Sequence, residues 1–169
     1  MTTQGDAEPF KIHRPFFCVK KIGQNSCHAC DTNLLTVTLT ANVPMTGAGT
    51  IVTISNLLGA EWSTGNVSLV TGPNQLDQHM SFSAGAGYGN TPGEAHWDNF
   101  AKTLTLHVIK DIECSTEIQF GFSLENPSCE QDAPSVSVAA SHVGLSASLF
   151  QSNAVGIGIA AEPMDHDLK

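Results

Sequence analysis

Apolar and polar side chains alternate with a period of two in five separate stretches of this chain. Leu35, Val37 and Leu39 alternate with Thr36, Thr38 and Thr40, and Met80, Phe82 and Ala84 alternate with Ser81 and Ser83. Leu104, Leu106 and Val108 alternate with Thr103, Thr105 and His107; Ile118, Phe120, Phe122 and Leu124 alternate with Glu117, Gln119, Gly121 and Ser123. Val136 and Val138 alternate with Ser135, Ser137 and Ala139. Successive side chains of a strand point to opposite faces, so each stretch has one oily and one polar face. Four runs of lower contrast also read as strands: 16–22, 51–55, 67–70, and Val155, Ile157 and Ile159 among glycines. Turn signals at 42–44, 47–49, 71–73 and 126–127 separate them, and no amphipathic helical stretch of convincing length is present. The pattern predicts an all-β chain, an antiparallel β-sandwich of about 7–9 strands.

The same pattern divides the chain. Residues 1–29 read as a linker with a candidate edge strand and a cysteine-rich lead-in, 30–142 as the sandwich core, and 143–169 as a final strand and a linker toward a next module. Ala7-Glu8-Pro9 returns as Ala161-Glu162-Pro163, as a linker repeated in a tandem array would. The longest apparent loop, 85–99, carries Tyr88, His96, Trp97 and Asp98 among glycines, and loops of this length often carry function. These four residues are the ligand-contact candidates. Trp97 has a competing role, filling the space between two sheets, which its closeness to the Leu104 strand favours.

Composition narrows the partners. Only 14% of the 169 residues are charged, against about 25% in an average soluble domain. The net charge is −9 with seven Lys and Arg, which leaves no basic footprint for nucleic acid or for an anionic membrane surface. No run of 18 apolar residues predicts a spanning helix. The first residues lack the pattern of an export signal, and the expectation is a module excised from a longer secreted protein.

Five cysteines, Cys18, Cys27, Cys30, Cys114 and Cys129, read as structural disulfide candidates in an oxidising compartment. Cys114 and Cys129 flank a strand whose ends lie roughly 26 Å apart, too far to bond. Counting strand reversals puts Cys30 with Cys129 at one pole and Cys18 with Cys114 at the other, leaving Cys27 over or competing for either partner. Cys27-His28-Ala29-Cys30 invites a redox or a zinc reading. The first wants a helix N-terminus and the second a further ligand pair; neither is present. Asn66-Val67-Ser68 is an N-glycosylation candidate. No nucleophile elbow, phosphate loop or carboxylate pair assembles, so no catalytic residue, metal or cofactor is assigned.

The runs 34–40, 42–44 and 50–57, then Trp97-Asp98, 103–106, 120–124, Asn126-Pro127 and 134–138, resemble the immunoglobulin-like or cohesin-like β-sandwich repeats of very large secreted and cell-surface microbial proteins, algal ones included. The likeness covers about residues 30 to 140; the segment from Cys18 to Cys30 departs from it. The resemblance implies an immunoglobulin-like sandwich and a non-catalytic structural or adhesive module, extracellular or at the cell surface. Its partners would be neighbouring modules or other surface proteins. The alternatives are a carbohydrate-binding module, contacting glycans through Tyr88 and Trp97, and a hydrolase-associated domain.

Overall fold

A computed structural model describes residues 14–141 and 143–152. The described residues are all-β apart from one short stretch of 3-10 helix. The strands are β1 (Phe17–Gln24), β2 (Thr32–Ala41), β3 (Ile51–Ser55), β4 (Gly65–Thr71), β5 (Phe82–Ser83), β6 (Glu94–Asp98), β7 (Thr103–Val108), β8 (Glu117–Glu125), β9 (Ser137–Ala140), β10 (Leu145–Leu149) and β11 (Gln151–Ser152). Among the described residues, no helix is long and apolar enough to cross a membrane.

The strands form one hydrogen-bonded path, β10-β9-β3-β7-β6-β4-β8-β2-β1-β11, with β5 added on β7. Two strands turn the path from one face to the other. Gly65–Ser68 of β4 pair with β6, whereas Leu69–Thr71 pair with β8. At the opposite edge β10 pairs with β9, and after Phe150 the chain continues as β11 against β1. The result is nearly a barrel, with its core between two facing halves. Neighbours are antiparallel except β1 and β11, where Lys21 and Ile22 lie beside Gln151 and Ser152 in parallel. With β10 and β11 taken as one strand, the ring holds nine. Alternating directions cannot close on an odd number, so one parallel pair is forced.

The period-two residues fill this core. Val37, Leu39, Leu104, Leu106, Phe120, Phe122 and Val138 are fully buried, together with Phe82, Trp97, Val52 and Ile54. Burying side chains of this size stabilises the fold by about 1.5–3 kcal/mol each before chain entropy is counted. Phe82 and Phe120 meet across the interior with ring centres 5.4 Å apart and planes tilted by 56°, an arrangement that aromatic quadrupoles favour.

Two sequence expectations change. The stretch from Met80 to Ala84 is not one strand: Asp77–Ser81 is the 3-10 turn, and only Phe82–Ser83 pairs, with β7. The interval 85–99 is not all loop, because β6 lies within it with Ala95 and Trp97 inward. The candidate edge strand of the lead-in is β1, which is not at an edge, since it pairs with β2 from Phe17 to Gln24 and with β11 on its other side. Val155, Ile157, Ile159 and the Ala7/Ala161 echo lie outside the described residues.

Candidate functional site

β6 splits the four loop candidates between two environments. Trp97 points into the core and is fully buried, and its Nε1 donates to the carbonyl oxygen of Trp62 at 3.2 Å. It is a packing residue and cannot contact a ligand from this position. Asp98 shapes the tight β6–β7 turn. Its Oδ1 accepts from the N–H groups of Phe100 at 2.8 Å and Ala101 at 3.0 Å. Those bonds, Ala101 first and Phe100 second, hold its carboxyl below the ordinary carboxylate range; desolvation opposes them and the nearby His96 adds to them. Lys102 completes the turn with a left-handed φ of 54° and an ammonium that donates to Ala60 O and Asn99 Oδ1, both at 2.8 Å.

Tyr88 and His96 come together on the outer face. Their rings stack with centres 3.5 Å apart and planes within 11°. Two neighbours hold the pair. Asn66, opposite His96 across the β4–β6 ladder, donates from Nδ2 to Tyr88 O at 2.7 Å and to Glu94 Oε2 at 2.9 Å. The loop returns over β6 through Gly85, Gly89 and Gly93, all at positive φ. At Gly85 a Cβ would sit 2.5 Å from the His107 ring, so the close approach requires glycine. Tyr88 is 55% exposed, which leaves aromatic surface beside an amide and a carboxylate, while His96 Nδ1 is buried with no partner among the described residues. Such a patch can stack on a flat or ring-shaped ligand and hydrogen-bond its edge. Asn66 therefore uses both amide hydrogens in the fold; a glycan on Nδ2 would replace one of them and break one of these bonds. Glu94 carries no signal of its own in the sequence, since its outward place depends on β6 being a strand.

The cysteines gather at two ends. Cys18 sits at a bulge of β1 between Phe17, which faces Ala41, and Val19, which faces Thr40. Cys114 precedes Ser115, whose N–H donates to Ala41 O at 2.8 Å. Cys27 and Cys30 lie in the β1–β2 connection at the other end, and Cys30 N–H donates to Pro127 O at 3.2 Å, two residues from Cys129. All five are exposed, and none is joined to another in this structure.

At the Cys27 end a cleft of about 760 Å³ opens between the two halves of the barrel. Ile22, Leu35, Leu57, Leu124 and Val136 form its apolar wall, and the connection from Asn126 to Val136 passes along it. Asn33, 4% exposed, donates from Nδ2 to Gln24 Oε1 at 3.2 Å and Asn126 Oδ1 at 2.7 Å, and accepts from the N–H groups of Asn25 and Ser26. Cys27 and Cys129 both line this cleft. Among the described residues, no group of three His, Cys, Asp or Glu side chains is placed to hold a metal ion. No protein-family model matches the chain, and no curated protein aligns with it significantly.

Proposed function

We propose that this chain is a non-catalytic structural or adhesive module of a large extracellular or cell-surface protein, an immunoglobulin-like or cohesin-like unit suited to a tandem array. One observation carries the reading. Within the described residues β1 starts at Phe17, at the Ala41 end, and β11 (Gln151–Ser152) runs parallel to it toward the opposite end. A unit that takes the chain in at one pole and releases it at the other can be strung in line without doubling back. Load applied along that line pulls β1 and β11 past each other, so their ladder bonds resist together in shear instead of opening one at a time. The low proportion of charged residues supports an extracellular setting.

Single-molecule stretching tests this. Two copies joined end to end are pulled through the chain termini, and separately through handles placed across the barrel. The expected outcome is one sharp unfolding event per copy, at clearly higher force along the axis than across it. Equal forces in both directions would remove the mechanical reading.

The Tyr88–His96 stack, with Asn66 and Glu94 beside it, favours a second reading, a glycan-contacting surface. Glycan-array binding that disappears in Tyr88→Ala would support it; an array without signal would dismiss it.

A further inference from the structure

The segments that bear Cys27 and Cys129 are already fastened to each other. Asn126 Nδ2 donates to the carbonyl oxygens of Ser26 at 3.3 Å and His28 at 2.8 Å, the two residues on either side of Cys27. Asn126 N–H donates to Asp31 O at 2.9 Å, and Cys30 N–H to Pro127 O at 3.2 Å. Cys129 lies three residues beyond Asn126, a span of at most ~10 Å of chain. Cys27 and Cys129 line the same cleft, and Cys30 is not among the residues that line it. Both thiols are exposed, so an oxidant can reach them.

We infer that Cys27 and Cys129 form a disulfide clasp across the open end of the barrel, tying the β1–β2 connection to the β8–β9 connection beside the apolar cleft. The co-reactant is a low-molecular-weight disulfide such as oxidised glutathione. The thiolate of one cysteine attacks a glutathione sulfur and expels one glutathione thiolate, giving a mixed disulfide. The second cysteine, as thiolate, attacks the protein sulfur of that bond and expels the other glutathione. Two thiol protons pass to the two glutathione thiolates, and two electrons pass from the protein to glutathione. The assignment replaces Cys30 by Cys27 as the partner of Cys129, on the ground that Cys27 faces the cleft.

Peptide mapping decides it. The full chain is equilibrated with a reduced and oxidised glutathione buffer, alkylated, and digested without reduction by trypsin together with a protease that cuts after Glu. The digest separates residues 22–61 with Cys27 and Cys30, residues 114–117 with Cys114, and residues 126–130 with Cys129. The expected product is 22–61 linked to 126–130, lighter by two hydrogens than its parts. The link persists in Cys30→Ser and is lost in Cys27→Ser, with an unchanged circular dichroism spectrum in both. Alkylated Cys129 in the wild type, its linkage to 114–117, or a link that survives Cys27→Ser but not Cys30→Ser would each overturn the assignment. Because the readout is a bond, it is independent of whether the module bears load.

Discussion

Replacing Trp97 by phenylalanine separates packing from recognition at the centre of β6. The indole is fully buried, between Leu104 on the neighbouring strand and the core beneath, and its one polar group is spent on Trp62 O. Phenylalanine removes about 40 Å³ of side chain, which at ~24 cal/mol per Å³ of unfilled cavity costs about 1 kcal/mol. It also removes the hydrogen bond to the Trp62 carbonyl, for a further ~1 kcal/mol. The expected loss is about 2 kcal/mol, or roughly 4–8 °C in melting temperature for a chain of this size. Urea unfolding followed by far-ultraviolet circular dichroism measures it. Iodide quenching supplies the companion observation, since Trp62 is 42% exposed and Trp97 is not exposed at all. A midpoint that moves by less than about 0.5 kcal/mol, the range of an ordinary surface substitution, would refute the placement of Trp97 as the packing centre.

Other substitutions probe other parts of the molecule. Tyr88→Ala removes only an exposed ring and its stack on His96, so its cost is expected to stay near or below ~1 kcal/mol in the same urea assay. Asp98 has a folded pKa below its unfolded value, so its stabilisation is present above the unfolded pKa near ~3.9 and is lost as pH falls through the lower folded one. Unfolding midpoints between about pH 2 and 6 should therefore fall less steeply for Asp98→Asn than for the wild type below about pH 4. A Cβ at Gly121 would lie 2.9 Å from Val70 Cγ2 and 3.1 Å from Leu34 Cδ1. Gly121→Val is expected to destabilise by about 1–3 kcal/mol through overpacking, with partial recovery when Val70→Ala is added.

The strands with a long, contrasting period were legible because packing obeys that period. Leu35–Leu39, Leu104–Val108 and Ile118–Leu124 supply inward residues along β2, β7 and β8. β6 was hidden by its setting: Gly85, Gly87, Gly89, Pro92 and Gly93 precede it, and only Ala95 and Trp97 mark the inner face of its five residues. The stretch from Met80 to Ala84 satisfied the strand pattern, but only Phe82 and Ser83 find a partner, against Val108 and His107, and Met80 and Ser81 coil into the 3-10 turn. The outer-face cluster was half legible. Tyr88 and His96 fall in one apparent loop of the sequence, yet their stacking depends on a return of the chain through positive-φ glycines, and Asn66 arrives from β4. No local period encodes a contact of that kind.

Ser68 and Leu69 are adjacent residues, yet their ladder bonds belong to different halves of the barrel, with Ser68 opposite Glu94 and Leu69 opposite Phe122. A protein whose halves meet only through side chains can open like a book, one sheet melting while the other persists. Here the hinge of such a book is a single covalent strand bonded on both pages. Melting either half frees β4 and takes away the other half's edge. The two faces are therefore expected to unfold as one cooperative unit, with backbone amides of β6 and β8 exchanging with solvent through the same opening.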